Sequence, residues 1–158
     1  MSKPVWMLAA CLMAGRAPAE EFSLMIGPPV AAQNYSAKSA AFVFRTKGCA
    51  DPDKIEVNGT AEGLYNGVRK TVRLQRIGVV QPGVYSIFRE WTGEGVWVVN
   101  LAARCTGAVA GALVPIGPNG FIRDSSKFFP RTASEAEIDA SLKALAKVGG
   151  ESAPTAKK

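Results

Sequence analysis

Short apolar runs separated by turn residues occupy residues 40 to 121 of the chain. In the run 40–46, Phe42 and Phe44 fall on the same side of an extended backbone. In the run 96–105, the odd positions from Trp97 to Cys105 are apolar and share one parity, whereas Asn100 falls on the other. Alternation of this kind is typical of half-buried strands, so the pattern predicts a mainly β protein in which Cys105 faces the core.

A turn at Asn66-Gly67 predicts a β-hairpin, because both central positions of a type I′ turn require positive φ. The run before it, 55–65, contains Gly59 and Gly63, which leaves two interpretations: one bulged strand or two short strands. The run after it, 68–79, is expected to be one strand. Its cations are interpreted as a solvated sheet face, with an anion site as the alternative. The closely spaced ones are Arg69, Lys70, Arg73 and Arg76.

Further apolar runs at 84–91 and 108–116 predict two more strands, and the second is apolar enough to be buried on both faces. Short strands at turn-separated intervals favour an antiparallel immunoglobulin-like β-sandwich of about seven strands, which we assign to residues 40–130. Residues 20–39 are small and turn-rich and are interpreted as a lead-in or linker.

The character of the chain changes at Ser134. Ser134 and Glu137 match the S-x-x-E capping box, and Ile138, Leu142 and Leu145 repeat at helical spacing. These features predict one short amphipathic helix within 131–149, followed by a disordered tail over 150–158. We expect the apolar stripe of this helix to pack against the sheet; the alternative is that it docks a partner protein.

The first 19 residues have the layout of a secretory signal peptide. A positive start at Lys3 precedes an apolar stretch over 4–15, and Ala17-Pro18-Ala19 matches an A-x-A cleavage site. The stretch is shorter than the roughly 20 residues of an ordinary transmembrane helix. Cleavage after Ala19 predicts a periplasmic or extracellular protein.

A second interpretation of the same segment is lipidation. Leu8-Ala9-Ala10-Cys11 resembles a bacterial lipobox, whose cysteine is acylated. Attachment to a membrane is expected only if Cys11 is lipidated.

Removal of the signal leaves two cysteines, Cys49 and Cys105. In an exported protein an even pair predicts a disulfide bond, and two buried free thiols are the alternative.

Composition excludes several kinds of chemistry. The chain is 47% hydrophobic and 20% charged, which predicts a folded globule. It has no histidine, which excludes Ser-His-Asp and Cys-His nucleophiles and imidazole metal ligation. The net charge of +6 falls to +4 without Lys3 and Arg16 of the first segment. Because the remaining cations are scattered, we expect no nucleic-acid partner.

The acidic residues raise two further hypotheses, a calcium site and a pair of catalytic carboxylates, and the sequence favours neither. Asp51, Asp53 and Glu56 form a tight cluster that suits calcium, but EF-hand spacing is absent and a solvated turn is the better interpretation. Carboxylate pairs drawn from Asp51, Glu62, Glu90 and Glu94 could support glycoside hydrolysis, although the sequence carries no cleft signature. We therefore expect no metal, no cofactor and no catalytic residue.

Four aromatic residues near predicted loop ends are candidates for a binding surface. Stacking of a sugar or of a peptide side chain on exposed rings would suit a carbohydrate or protein partner in the cell envelope. The four are Tyr65, Trp91, Phe128 and Phe129.

The segments Gly83-Val84-Tyr85 and Gly95-Val96-Trp97-Val98-Val99 carry a resemblance. Together they resemble the G-x-Y … G-x-W-x-V hairpin of bacterial exported immunoglobulin-like modules, including the YtkA and FixH-like groups. The resemblance covers about a third of the chain and implies an exported β-sandwich. Some members of those groups handle copper, but this sequence lacks histidine and keeps only Met25 after cleavage, so metal handling is not carried over.

Three functional hypotheses follow. The leading one is an exported, non-catalytic β-sandwich that serves as a binding or structural module in the cell envelope. The second is an accessory subunit that docks another envelope protein through the C-terminal helix and Phe128-Phe129. The third is a carboxylate-based hydrolase.

Overall fold

The structure is a computed structural model, and it describes residues 20–29 and 39–151, with side chains up to 149. The proposed signal peptide, its cleavage after Ala19, the lipobox cysteine Cys11 and the tail from residue 152 lie outside the described residues. Within the described ranges, no helix combines the length and the apolar character that crossing a bilayer requires.

Within residues 20–29 and 39–151, ten strands form two antiparallel sheets. The four-stranded sheet has the order β1-β2-β6-β5, and the six-stranded sheet has the order β10-β8-β7-β3-β4 with β9 paired to β8. The strands are β1 (Ser23–Gly27), β2 (Phe42–Lys47), β3 (Glu56–Tyr65), β4 (Val68–Arg73), β5 (Ile77–Gln81), β6 (Val84–Ile87), β7 (Val96–Cys105), β8 (Ala108–Gly117), β9 (Gly120–Phe121) and β10 (Lys127–Phe129).

The first eight strands follow the strand order of an immunoglobulin sandwich. The order 1-2-6-5 in one sheet and 8-7-3-4 in the other matches the A-B-E-D and G-F-C-C′ arrangement. The predicted antiparallel immunoglobulin-like sandwich with one C-terminal helix is therefore confirmed. The strand count is higher than the expected seven because β1 was not predicted, the 68–79 run divides, and β9 and β10 follow the sandwich.

The prediction of a single strand over 68–79 is wrong. β4 ends at Arg73 in one sheet, and β5 begins at Ile77 in the other. The crossing is possible because the carboxylate of Glu90 accepts the backbone N–H groups of Gln75 and Arg76, at 2.8 and 2.9 Å, in place of a neighbouring strand. The apolar positions change from even numbers up to Leu74 to odd numbers from Ile77, which interrupts the alternation but does not show that the chain changes sheets.

Two other runs also differ from their predicted bounds. The sequence predicts a lead-in or linker over residues 20–39, but the described part of this range contains β1, whose Leu24 and Ile26 are buried and whose five residues all pair with β2. The run 84–91 is a strand only to Ile87, after which the chain bends and Trp91 turns into the core.

The run with two glycines is one continuous strand, β3, which pairs with β7 in an unbroken register. A Cβ at Gly59 would lie 2.8 Å from the Asn100 carbonyl oxygen, and a Cβ at Gly63 would lie 2.7 Å from the Trp97 ring. Both glycines are therefore required by close packing rather than by a bulge.

The main core lies between the two sheets. Phe42 and Phe44 of β2 are fully buried against Trp97 and Leu101 of β7, as the alternation in both runs predicts. Phe44 also stacks on Tyr85 of β6, with ring centroids 5.0 Å apart. Burial of these large side chains is the main stabilising contribution to the sandwich.

A second, smaller core lies on the outer face of the six-stranded sheet. Helix α1 (Glu135–Glu151) places Ile138 and Leu142 on Val98 of β7 and Leu113 of β8, and all four side chains are buried. The apolar stripe therefore packs on the protein's own sheet. The helix ends two residues later than predicted, at Glu151, so it runs through the two glycines at 149 and 150 and includes the first two residues of the predicted disordered tail.

The predicted capping box forms at the start of the helix. The Glu137 carboxylate accepts the Ser134 backbone N–H at 2.7 Å, and the Ser134 hydroxyl accepts the Glu137 N–H at 3.4 Å.

Candidate functional site

A disulfide joins Cys49 to Cys105, with their Cα atoms 6.0 Å apart. Cys49 lies in the loop after β2, and Cys105 is the last residue of β7, so the bond links the two sheets at one end of the sandwich. The bond therefore lies where it can stabilise the packing of one sheet on the other. Cys105 is buried and Cys49 is half-buried, and both belong to the main core.

The four predicted aromatic residues do not form one surface. Trp91 is only 5% exposed, and its indole N–H has no hydrogen-bond partner in the structure, so it belongs to the core and not to a binding surface. Tyr65 ends β3, whereas Phe128 and Phe129 lie on β10 at the opposite edge of the six-stranded sheet. Phe128 is 49% exposed, and Phe129 packs beneath helix α1. Because the direction of a side chain at a bend does not follow strand parity, the sequence pattern does not show that Trp91 is buried.

The carboxylates considered as catalytic candidates lie at separate places in the fold, and most of them are held in structural contacts. Glu90 binds the chain crossing between β4 and β5, and Asp51 forms an ion pair with Lys54. Glu94 is exposed in the loop before β7. Among the described residues, no three Asp, Glu or Cys side chains lie close enough together to hold a metal ion.

Glu62 is a buried carboxylate that accepts hydrogen bonds from three side chains. It is 4% exposed on the outer face of β3, where Thr60 and Thr71 each donate a hydroxyl hydrogen bond of 2.6 Å. Arg69 of β4 adds a guanidinium contact at 3.2 Å. Burial raises the pKa of Glu62, but the hydrogen bonds from Thr60, Thr71 and Arg69 outweigh it, so the pKa lies below its ordinary value.

Arg69 extends this cluster to the helix. Its guanidinium donates to Asp139 at 2.5 Å and to Glu135 at 2.8 Å, so one cation binds three carboxylates on two elements. Burial opposes the charged form of Arg69, yet the hydrogen bonds to Glu62 and Glu135 raise its pKa. We call Glu62, Arg69, Glu135 and Asp139 the helix clamp. The cation at position 69, predicted to face solvent, instead fastens the helix to the sheet.

A second ion pair holds the helix at the other side of the sheet. Arg131, which follows β10, donates to both carboxylate oxygens of Glu137 at 2.8 Å. This bidentate contact, together with the Ser134 N–H, lowers the pKa of Glu137 to about 2.

The two edges of the six-stranded sheet differ. The outer side of β8 is covered by β10, which pairs with Gly111–Leu113, and by β9, which pairs with Ile116 and Gly117. No described strand pairs with the outer side of β4. We call this outer side the β4 edge. It is exposed at Val68, which is 60% accessible, and at Lys70 and Arg73.

An apolar groove of about 480 Å³ runs between the helix and the segment that links β9 to β10. Its lining includes Pro115 of β8, Ile122 and, from the helix, Leu145 and Val148. Three smaller concavities, of about 220 to 280 Å³, lie elsewhere on the described surface.

Comparisons with known proteins find no matching family model, no matching curated protein and no matching solved structure. The functional assignment of the chain therefore depends on its own residues and geometry.

Proposed function

We propose that this protein is an exported, non-catalytic immunoglobulin-like sandwich that acts as a binding or structural module in the cell envelope. Export is supported by the layout of the first 19 residues and by a cysteine pair positioned to link the two sheets. The resemblance of the Gly83 and Gly95 segments to exported bacterial modules supports the same location, although β6 and β7 lie in opposite sheets and do not pair as a hairpin.

The observation that carries the non-catalytic assignment is the state of Glu62. A general acid needs a raised pKa and access to substrate. Glu62 has the opposite properties: it is buried, its pKa is lowered, and both of its oxygens accept hydrogen bonds from the chain itself. Through its contact with Arg69, the Glu62 carboxylate instead stabilises the packing of the helix on the sheet.

Docking of another envelope protein through helix α1 is the alternative within the same class. Such docking must use the outward side of the helix and the groove beside it, since Ile138 and Leu142 already pack on the sheet.

The location is tested by expressing the full chain, separating the cell compartments and determining the mass of the mature protein. We expect an envelope protein that begins at Glu20, with no thiol titrating under non-reducing denaturing conditions. An uncleaved cytoplasmic chain with two or more free thiols would contradict export, and a mass increase on Cys11 would identify the lipoprotein form.

The non-catalytic assignment is tested with a panel of glycosides and peptides. We expect no turnover above that of a buffer control. Turnover by the wild-type protein that is lost in Glu90→Gln or Glu94→Gln, with unchanged thermal unfolding, would instead support the hydrolase hypothesis.

A further inference from the structure

The β4 edge presents a regular row of backbone groups that no described element uses. In a two-residue hairpin the residues that flank the turn, here Tyr65 and Val68, form a hydrogen-bonded pair, and hydrogen-bonded pairs then alternate along the ladder. Val68, Lys70 and Val72 therefore direct their N–H and C=O groups toward β3. The backbone groups of Arg69, Thr71 and Arg73 point away from the sheet, where an added strand would meet them.

Three cations on or just after β4 lack carboxylate partners among the described residues. In the described part of the chain, Lys70, Arg73 and Arg76 form no ion pair, whereas Arg69 is neutralised by the helix clamp. Lys70 lies over the Tyr65 ring and Arg76 over the Phe88 ring, at 5.3 and 5.0 Å. Among the residues whose side chains the structure does not describe, the given sequence contains one carboxylate side chain, Glu151.

We propose that the β4 edge binds an extended acidic segment of a partner protein, which adds to the six-stranded sheet as a further strand beside β4. Addition of a strand to a free edge obtains affinity from main-chain hydrogen bonds and specificity from alternate side chains. The inference names a partner class for the binding role proposed above.

The two faces of the edge define the side chains that such a segment needs. On the inner face, Val68 is 60% exposed and Val72 is half-buried, with the exposed Lys70 between them, so a neighbouring strand would place apolar residues beside the two valines. On the outer face, Arg73 is exposed and unpaired, so acidic residues suit the alternate positions. The expected partner sequence therefore alternates acidic and β-branched apolar residues.

Charge argues against a second copy of this chain as the occupant. Pairing two β4 edges would bring Lys70 and Arg73 of one copy close to the same residues of the other, and like charges on neighbouring strands are destabilising. Cations on edge strands commonly prevent such self-association. An acidic strand removes this repulsion.

The test uses the mature protein and a blocked peptide of sequence Glu-Val-Glu-Val-Glu-Val-Glu. Binding is measured by calorimetry or fluorescence anisotropy at two salt concentrations. We expect saturable binding that weakens with salt, and no binding of a peptide with the same residues grouped in blocks or of the peptide with Lys in place of Glu. A location other than the envelope would refute the proposed export without affecting this result.

Matched variants localise the binding. Lys70→Glu with Arg73→Glu is expected to weaken it about tenfold, because the two cations that attract the acidic segment are replaced by two anions that repel it. Lys143→Glu with Lys147→Glu makes the same charge change on the exposed side of the helix and is expected to leave the affinity unchanged. Arg73→Pro removes an outward N–H while keeping the pairing with β3, so it is expected to weaken binding more than Arg73→Ala does.

Three results with the peptides and the charge variants would overturn the proposal. They are equal binding of the alternating and grouped peptides, equal loss in the β4 and helix charge variants, and absence of peptide binding by the folded wild-type protein. Self-association through β4, seen as a dimer in sedimentation that Lys70→Glu with Arg73→Glu alters, would also contradict it. Binding of a single-stranded oligonucleotide in place of the acidic peptide would do the same.

Discussion

The two edges of the six-stranded sheet solve the same physical problem differently. An edge strand exposes unpaired N–H and C=O groups that invite further pairing. At β8 the chain covers them with its own β9 and β10, and then continues into helix α1. At β4 it leaves them uncovered, on a strand that carries the exposed cations Lys70 and Arg73. At β8 the backbone groups are already paired with strands of the same chain. At β4 no described strand pairs with them and positive charge repels a second copy, so this edge remains available to a partner of opposite charge.

Loss of the disulfide is expected to have the largest effect, and to act on both edges alike. Cys49 and Cys105 close a loop with a sequence separation of 56, and a loop of that length contributes about 4 kcal/mol in the chain-entropy model. Cys49→Ser with Cys105→Ser is therefore expected to lower the free energy of unfolding by that order, measured with urea. An unchanged unfolding midpoint would show that the bond does not form.

Gly111→Ala is expected to break the covered edge selectively. A Cβ at Gly111 would overlap the Arg131 carbonyl, which follows β10, so β10 and the start of the helix must shift. We expect a loss of about 2 kcal/mol in thermal or urea unfolding. Gly27→Ala on β1 is the matched control, because a Cβ there meets nothing within 4 Å. Equal losses in the two variants would contradict the close packing described at β8.

Arg69→Met tests how the β4 side holds the helix. The substitution leaves the buried Glu62 carboxylate without its cation. We therefore expect the free energy of unfolding to fall by about 1 to 2 kcal/mol, measured with urea. Adding Glu62→Met removes the buried charge as well, so the double variant is expected to be at least as stable as Arg69→Met alone. A double variant much less stable than Arg69→Met would contradict the helix clamp.

The smallest expected effect is the acid dependence of stability. The lowered pKa of Glu137, about 2 in the fold against an ordinary 4.5, means that its contribution is complete above the ordinary value and is lost as the pH falls toward 2. The pKa of Glu62 is also below its ordinary value, so its contribution is lost at acid pH in the same way. Glu137→Gln should therefore flatten part of the acid limb of a plot of thermal midpoint against pH. Superimposable acid limbs in the variant and the wild type would refute this role of Glu137.

Much of the sandwich could be predicted from sequence, because its strands follow simple rules. The alternation in the Phe42 and Trp97 runs, the Asn66-Gly67 turn and the capping box at Ser134 each specify local geometry through nearby residues. The crossing after Arg73 could not be predicted, because the Glu90 carboxylate that makes it possible is distant in sequence.

The helix clamp and the β4 edge could not be predicted from the sequence. Arg69 and Arg73 share a parity and a strand, yet one is neutralised by the helix clamp and the other has no acidic partner among the described residues. That difference depends on where helix α1 packs. Equally, a free edge is a property of sheet order, and strand propensity does not reveal which strand lies last.

Amide hydrogen exchange along β4, with and without the Glu-Val peptide, tests the central claim most directly. In the free protein the amides of Val68, Lys70 and Val72 should be protected by pairing with β3, while those of Thr71 and Arg73 exchange rapidly. The account predicts that the peptide slows exchange at Thr71 and Arg73 and leaves Lys70 unchanged. Protection of Thr71 and Arg73 in the free protein, or unchanged exchange at both when the peptide is bound, would contradict it.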